Sequence, residues 1–418
     1  MLDLQCQRPL FLQGPMSPFC ARLAQELKEQ DIVLRKINFN GGDFLYFPRG
    51  TNYRGYPKDW PAFLERYIQQ HAIDLILLYG DSRPIHVAAR AVAKKLGIRV
   101  MVFEEGYIRP NFVTLEEGGT NYHSSIPVEL PVELKGAAAN NEVPSWVEGK
   151  SAGATFGRFA WYSAFYSIAI VLGSLPFRKY RHHKSLALLY QTKVWVLSCY
   201  RRYAYPLLHK GWMEKYTRDN FKNYYFVPLQ VHNDFQVQQS EYRTVSAFMV
   251  DVMESFAAHA PTETHLVFKH HPMDRGEFHY QRLIDQHAER LGIQGRIGYL
   301  HDEHLPTLLR AARGVVTINS TVGLSALFHE TPTFCTSHSI YICVAATGTL
   351  DEFWTALPAV NSREVNAFRQ WLRDTCQVNG SFYRRTFKDS PTGMLWPPPW
   401  SKAQPASLSS PSIVEARI

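Results

Sequence analysis

Apolar runs alternate with amphipathic stretches along the first third of the chain. Residues 73–79 are apolar enough for a buried strand, and residues 84–96 have the apolar spacing of a helix that ends at Gly97. Residues 98–103 form the next apolar run. Strands that alternate with helices in this way are typical of parallel sheets covered by helices. The pattern predicts an N-terminal Rossmann-like domain over residues 1–150.

The same alternation restarts after residue 222. The predicted strands of this second part are residues 224–229, 265–269, 314–318 and 332–335. We therefore expect an α/β fold of two open, doubly wound halves, in which ligands lie at the carboxyl ends of the strands. The expected divisions are a second Rossmann-like domain over 223–362, helices that cross back to the first half over 363–390, and a flexible Pro/Ser-rich tail over 391–418.

The middle segment, residues 151–222, differs from both halves. It holds twelve Lys and Arg residues against two acidic residues, together with sixteen aromatic residues. Its uncharged stretch, 159–175, is borderline in length for a membrane span, which takes about 20 apolar residues. One interpretation is a set of aromatic helices packed between the domains. The other is a basic, aromatic surface that rests on anionic lipid.

Composition narrows the class of protein. A chain of 418 residues suits two domains. The six cysteines are scattered without a CxxC pair, as expected for reduced thiols in the cytoplasm, and the N-terminus does not have the pattern of a secretory signal. The motifs GxGxxG and GxxxxGK[ST] are absent, which disfavours dinucleotide oxidoreductases and P-loop NTPases. The segment 151–222 has no nucleic-acid-binding signature, so no nucleic-acid partner is expected.

Four short motifs follow predicted strands and carry the candidate chemistry. They are Glu104-Glu105-Gly106, Gln230-Val231-His232-Asn233-Asp234, Lys269-His270-His271-Pro272 and Asn319-Ser320-Thr321-Val322-Gly323. Carboxylates at strand ends suit general acid–base work, and hydroxyls at a helix N-terminus suit an anion. Each motif alone also fits a plainer role, as a solvated turn or an ordinary helix cap. The spacing does not suggest a metal site.

The combined motifs resemble a known family. The phrases FLQGP, EEGYIRPNFVTLE, PLQVHNDFQ, KHHP and INSTVGLSAL are similar to the capsule polysaccharide biosynthesis family of the KpsS/LipB type. In their order the motifs also resemble bacterial CMP-sialic acid transferases. The resemblance implies a GT-B glycosyltransferase, with two Rossmann-like domains that face a cleft and, here, an aromatic and basic helical insertion between them.

The resemblance also implies a reaction. It is the transfer of β-linked Kdo (3-deoxy-D-manno-octulosonic acid) from CMP-Kdo to a lyso-phosphatidylglycerol acceptor, with retention of configuration, as the first step of a capsule linker. The expected partners are the donor, the lipid acceptor, the inner face of the cytoplasmic membrane and other capsule assembly or export proteins. CMP-Kdo would be a co-substrate, with neither a metal nor another cofactor expected.

Residue roles follow from matching the family's motifs. His271 and Pro272 correspond to the CMP-binding element, Ser320 and Thr321 to the phosphate-holding element, Glu104 and Glu105 to the acid/base pair, and Asp234 to the QxxxD carboxylate. Gln230, Lys269, His270, Asn319 and Gly323 complete the expected donor side, and Arg109 and Arg83 are candidates for the sugar carboxylate. We assign Asp234 as the nucleophile. The alternatives are a GT-B enzyme for another nucleotide sugar, such as CMP-sialic acid or a UDP-sugar, and a non-catalytic export scaffold.

Overall fold

The computed structural model describes residues 3–140, 146, 148–179, 188–208, 211, 214–219, 221–396 and 398–402. These residues form two α/β halves, each built on a mainly parallel sheet. The strands are β1 Gln5–Cys6, β2 Pro9–Leu12, β3 Arg35–Asn38, β4 Thr51–Asn52, β5 Leu75–Tyr79, β6 Arg99–Glu105, β7 Phe112–Glu117, β8 Tyr224–Pro228, β9 His265–Lys269, β10 Ile297–Leu300, β11 Gly314–Thr317, β12 Thr333–Cys335, β13 Gln377–Asn379 and β14 Ser401–Lys402.

Helices cover both sheets and connect the strands. They are α1 Phe19–Lys28, α2 Gly41–Tyr46, α3 Trp60–His71, α4 Pro84–Leu96, α5 Val132–Ala139, α6 Phe156–Leu172, α7 Leu188–Leu208, α8 Phe235–Gln239, α9 Val245–His259, α10 Gln281–Leu291, α11 Leu305–Ala311, α12 Thr321–Phe328, α13 Leu350–Phe353 and α14 Ser362–Cys376. The predicted C-cap of α4 is confirmed, because Gly97 has a φ of 67° in the left-handed region that ends helices.

The N-terminal sheet has seven strands in the order β13-β7-β6-β5-β2-β3-β4. Its centre is parallel, and the first four residues of β5 are buried, as the apolar run predicts. Two strands break the simple alternation. β7 returns antiparallel beside β6, and β13 pairs antiparallel with β7. The sequence patterns did not predict these two strands, and at this edge a hairpin takes the place of a strand–helix–strand unit.

The C-terminal sheet has five strands in the order β10-β9-β8-β11-β12, all parallel. Its strands are short and almost wholly buried, with helices α9 and α10 packed against one side. A separate apolar cluster lies between the two halves. It joins Tyr107 and Ile108 of the first half to Leu324, Tyr341 and Phe368. The two halves of the protein therefore share an apolar core that holds them together.

The chain returns to its first half after the second sheet. Residues 363–390, expected as crossing helices, contain one helix, α14, followed by β13. The prediction of a flexible tail over 391–418 is wrong for residues 391–396 and 398–402. Trp396 and Trp400 are buried in the N-terminal core, Trp396 donates a hydrogen bond to Glu26 at 2.5 Å, and β14 pairs with β1. These tryptophans bury too much apolar surface to remain solvated. Residues 403–418 lie outside the described residues.

The described part of segment 151–222 contains helices α6 and α7. Tyr166 and Ile170 of α6 are buried against the N-terminal half. Within the described residues, no helix combines the length and the apolar character that crossing a bilayer requires.

Candidate functional site

The two sheets point the carboxyl ends of their strands at one cleft. Its N-terminal wall consists of residues that follow β5 and end β6, and its C-terminal wall of residues that follow β8, β9 and β11. The cavity has a volume of about 620 Å³. Ten predicted site residues line it: Arg83, Glu104, Glu105, Arg109, Gln230, Asp234, His271, Asn319, Ser320 and Thr321. Residues far apart in sequence thus meet where a doubly wound sheet places its ligands.

The acidic pair ends β6, and its two members are held differently. Glu105 accepts hydrogen bonds of 3.2 Å from the hydroxyls of Tyr79 and Tyr383. Glu104 accepts a bond from the backbone N–H of Glu105 at 3.1 Å. Burial raises the pKa of Glu104 to about 7, and the charges of Glu105 and Asp234 act in the same direction. Glu104 is therefore the member of the pair that can exchange a proton near neutral pH.

Asp234 lies on the opposite wall, at the N-cap of α8. Its Oδ1 accepts the backbone N–H of Gln236 at 2.9 Å. Burial raises the pKa of Asp234 above its ordinary value, while the bonds from Gln236 and Gln230 and the charge of Arg109 limit the rise. Gln230 also donates a hydrogen bond to Asn319 at 3.0 Å, which ties the loops after β8 and β11 together. Hydrogen bonds thus hold the Asp234 carboxylate in place, and the positive charge of Arg109 stabilises its ionised form.

Ser320, Thr321 and His271 line the C-terminal wall of the cleft. Ser320 caps α12 by accepting the backbone N–H of Val322 at 3.3 Å, and Thr321 is the first residue of that helix. The Nδ1 of His271 accepts the backbone N–H of Met273 at 3.2 Å, so a neutral imidazole carries its proton on Nε2. Burial, Lys269, Arg109 and Arg275 lower the pKa of His271 to about 4. Near pH 7 this ring is a neutral N–H donor.

Four other predicted donor-binding residues do not line the cleft: Lys269, His270, Pro272 and Gly323. Lys269 and His270 are buried, and His270 shares a 2.7 Å hydrogen bond with the hydroxyl of Tyr299. A Cβ on Gly323 would collide with the hydroxyl of Tyr341. Their predicted contact with the donor is therefore revised, because these groups face the interior of the C-terminal half and Pro272 opens a solvent-exposed turn. Burial lowers the pKa of Lys269.

The two arginines proposed for the sugar carboxylate both reach the cleft. Arg109 donates its Nε–H to the carbonyl oxygen of Gly106 at 3.1 Å and acts electrostatically on both Asp234 and His271. Arg83 lies with its guanidinium carbon 5.5 Å from the centre of the Tyr79 ring and opposes the raised pKa of Glu104. Positive charge is thus present on the N-terminal wall, beside the carboxylates.

Some residues of the site were not predicted. Asp81 lines the cleft, accepts the backbone N–H of Thr120 at 3.1 Å and lies 3.1 Å from Nδ1 of His123. Its position after a buried strand was the available signal. Tyr383 reaches Glu105 from the returning segment, and a single sequence contains no signal for that contact. Gln236 lines the cleft and accepts the backbone N–H of Tyr122 at 3.2 Å, a direct bond between the halves.

Among the described residues, His232, Asp274 and Glu277 have a metal-ligand composition, with ligand atoms within 4.8 Å of one another. The Nδ1 of His232 lies 2.7 Å from Asp274, which also accepts the backbone N–H of His232 at 2.6 Å. These bonds engage both Asp274 oxygens with one residue. The arrangement joins the loop that carries Asp234 to the loop that carries His271.

Comparison with known proteins identifies the family. Residues 74–383 match the family described as "Capsule polysaccharide biosynthesis protein". The chain is 37% identical over 395 residues to "Capsule polysaccharide export protein KpsS" of Escherichia coli, which covers 91% of this chain and 98% of that protein. It is 34% identical over 397 residues to "Capsule polysaccharide modification protein LipB" of Neisseria meningitidis serogroup B, covering 90% and 92%. Among solved structures, Thermosulfurimonas dismutans KpsC, titled a "beta Kdo 2,7 transferase", aligns over 86% of this chain and 90% of its own, with 14% identity and a TM-score of 0.41. This chain therefore belongs to the capsule polysaccharide biosynthesis protein family.

Proposed function

We propose that this chain is a retaining glycosyltransferase that moves Kdo from CMP-Kdo to a lyso-phosphatidylglycerol acceptor at the inner surface of the membrane. One observation carries the proposal. Glu104 and Asp234 come from opposite halves and line one cleft, and the charge of Asp234 contributes to the raised pKa of Glu104. Two carboxylates on opposite walls are what a double displacement at a sugar carbon requires.

The donor phosphate would bind on the C-terminal wall. The Nε2–H of His271 and the hydroxyl of Thr321, the first residue of α12, offer donors to an anion at the N-terminus of that helix. These donors stabilise the CMP that forms as the bond to the sugar breaks. The carboxylate of Kdo would pair with Arg109 or Arg83, whose planar guanidinium groups match two oxygens.

In the first step Asp234 attacks the anomeric carbon of the bound sugar. An oxygen of Asp234 forms a bond to that carbon, the bond from the carbon to the CMP oxygen breaks, and CMP leaves with the electron pair. The N-cap bond from Gln236 to Oδ1 and the nearby side chain of Gln230 hold the Asp234 carboxylate in position for this attack. The product of the step is a Kdo ester of Asp234.

In the second step Glu104 takes the proton of the acceptor hydroxyl. The acceptor oxygen attacks the same carbon and Asp234 departs as a carboxylate, so two inversions give net retention. Glu104 suits this role better than Glu105, because its pKa lies near 7 and no tyrosine hydroxyl is bonded to it in the described residues, whereas Glu105 accepts two. In this mechanism Glu105 does not transfer the proton but helps to position Glu104.

Donor and acceptor are proposed from the family. The relatives named KpsS and LipB are described as capsule polysaccharide export and modification proteins, and the motif resemblance implies CMP-Kdo and a lipid. The other assembly or export proteins remain proposed partners on the same basis, and the mechanism uses no metal or additional cofactor.

The decisive experiment incubates the purified protein with CMP-Kdo and a lyso-phosphatidylglycerol analogue. We expect the lipid to gain the mass of one Kdo and CMP to be released over many turnovers. Glu104→Gln should lose the lipid product and release no more than one CMP per protein molecule. Parallel reactions with CMP-sialic acid and UDP-sugars test the donor, and product with one of these alone would replace CMP-Kdo. A folded protein that turns over no nucleotide sugar would instead fit a scaffold and contradict the proposal.

A further inference from the structure

Helix α6 carries apolar side chains on two opposite faces. Tyr166 and Ile170 are buried on the N-terminal half. On the other face, four large apolar side chains are between 42 and 77% exposed: Trp161, Phe165, Ile168 and Leu172. Their spacing of four, three and four residues aligns them in one stripe along the helix. An ordinary surface helix would present polar residues there.

The packed face of α6 fixes its orientation. The hydroxyl of Tyr166 donates to Oδ1 of Asp43 at 2.9 Å and accepts from the side-chain amide of Asn40 at 3.1 Å. A Cβ on Gly41 would collide with the carbonyl oxygen of Ala169, so the backbones of α2 and α6 are in direct contact. The exposed stripe therefore cannot turn inward without breaking buried hydrogen bonds.

Helix α7 repeats this arrangement on the C-terminal half. Val196, Tyr200 and Tyr203 are between 62 and 72% exposed and share one face, at spacings of four and three. From the opposite face, Arg201 donates a hydrogen bond of 2.5 Å to the carbonyl oxygen of Arg275, in the loop that follows His271.

The two helices meet where the guanidinium carbon of Arg202 on α7 lies 5.4 Å from the centre of the Phe156 ring on α6. The exposed stripes thus belong to two adjoining helices, one fixed to each half of the protein.

Exposed basic residues lie on these helices or in the stretch that follows α6: Arg158, Arg178, Lys179, Lys193 and Arg202. The two acidic residues of the segment, Glu214 and Asp219, both follow α7. Apolar side chains with a cationic rim match an anionic bilayer, which offers acyl chains beneath negative headgroups. A second copy of the chain is a poorer match, because its identical basic rim would repel this one.

We propose that the exposed stripes of α6 and α7 form one surface that docks on an anionic lipid bilayer. The inference extends the proposed function, because a lipid acceptor would be presented at such a surface. Docking through a helix fixed to each half would hold both walls of the cleft beside the membrane. The loop after β9, which carries His271 and is called the donor loop below, would then be held to α7 by the hydrogen bond from Arg201.

Sedimentation with lipid vesicles tests the surface without donor or acceptor. The full chain should bind vesicles of phosphatidylglycerol and phosphatidylcholine, bind phosphatidylcholine alone weakly, and lose affinity as salt rises. Replacing both Ile168 and Leu172 with Glu should weaken binding at least 10-fold. Arg158→Gln with Arg178→Gln should weaken it roughly 30-fold. The matched control is Val33→Glu, since Val33 is 65% exposed and precedes β3, at the end of that strand opposite α2.

Equal binding by the stripe variant and Val33→Glu would overturn the proposal, as would binding that ignores phosphatidylglycerol and salt. A dimer in solution that the stripe variant breaks, without vesicle binding, would assign the surface to a second copy. Transfer to a detergent-dispersed acceptor separates the two proposals, because the stripe variant should keep it. If the wild type binds vesicles but transfers no sugar, only the proposed function is contradicted. If it transfers sugar but does not bind vesicles, only the proposed docking surface is contradicted.

Discussion

The hydroxyl of Tyr383 donates a 3.2 Å hydrogen bond to Glu105, across 278 positions of sequence. The bond brings the returning C-terminal segment to the acidic pair of the N-terminal half. Tyr79 donates a second bond to the same oxygen of Glu105, and burial raises the pKa of both tyrosines well above its usual range. Both phenols therefore stay protonated donors, and their two hydrogen bonds hold the Glu105 side chain beside Glu104.

Tyr383→Phe removes one of these donors and keeps the ring. We expect Kdo transfer to fall on the order of 10-fold, because a hydrogen bond to a charged group contributes about 1.5–3 kcal/mol. The matched control is Tyr46→Phe, whose hydroxyl donates to the carbonyl oxygen of Tyr162, outside the cleft. Initial rates of CMP release, with thermal melts of both variants, measure the effect. Equal rates for the two variants would remove Tyr383 from the site.

The strands and the cleft could be predicted from the sequence because they depend on local patterns. The apolar run of β5 and the strand-end positions of Glu104 and Asp234 are local signals, and parallel strands place such residues at one edge. The residues that contact these strands and side chains could not be predicted. Tyr383, Trp396 and the strand β13 reach the N-terminal half through pairings distant in sequence. A single sequence contains no measure of such contacts, and the Pro/Ser-rich composition of the tail indicated disorder instead.

The same limit explains why one of the two adjacent histidines lines the cleft and the other does not. The spacing in Lys269-His270-His271-Pro272 predicts a cluster, but successive residues at a strand end face opposite sides. The structure places His271 in the cleft and bonds His270 to Tyr299. Only the packing around the strand decides which imidazole meets the ligand.

Glu104→Gln should change the pH dependence of stability. A pKa of about 7 in the folded protein, against an ordinary 4.5, means that folding takes up a proton between these values. The contribution of neutral Glu104 to the free energy of unfolding is therefore fully present below pH 4.5. It is lost as the pH rises through 7, because the buried carboxyl group then ionises. Gln does not titrate, so its advantage over wild type should grow across this range, to at most about 3 kcal/mol, and then level off. Urea unfolding at pH 5, 7 and 8.5 measures it. A constant difference at all three values would contradict the raised pKa.

His271→Ala should weaken CMP binding about 10- to 100-fold, because one charge-assisted hydrogen bond is lost. The phosphate should also raise the pKa of His271 from its low value near 4, so wild-type CMP binding takes up a proton and strengthens as the pH falls from 7 to 5. The variant should lose that part of the pH dependence. Calorimetric titration measures both effects, with His287→Ala on the outer helix α10 as the control. Parallel pH profiles for wild type and His271→Ala would exclude this role.

Gly276→Ala should loosen the contact between the donor loop and α7. A Cβ at this position would collide with the carbonyl oxygen of Val194, a backbone atom that cannot rotate away. We expect a loss of about 1–3 kcal/mol in the free energy of unfolding, together with weaker CMP binding, since the same loop carries His271. Gly295→Ala is the matched control, because a Cβ there meets nothing within 4 Å. Similar unfolding curves for the two variants would mean that α7 is not packed on this loop.

The nucleophile can be identified by trapping it. With CMP-Kdo and no acceptor, Glu104→Gln should accumulate protein that is heavier by one Kdo, because the departing CMP needs no proton from Glu104 and the second step does. Peptide mapping should place the added mass on Asp234. Asp234→Asn should neither gain mass nor transfer sugar, although its amide keeps the size of the side chain and an oxygen for the N–H of Gln236. Its CMP affinity should stay close to wild type, which separates lost chemistry from lost donor binding. Added mass on another carboxylate would reassign the nucleophile, and a product of inverted configuration would rule out double displacement, since only two successive inversions at one carbon restore the donor's configuration.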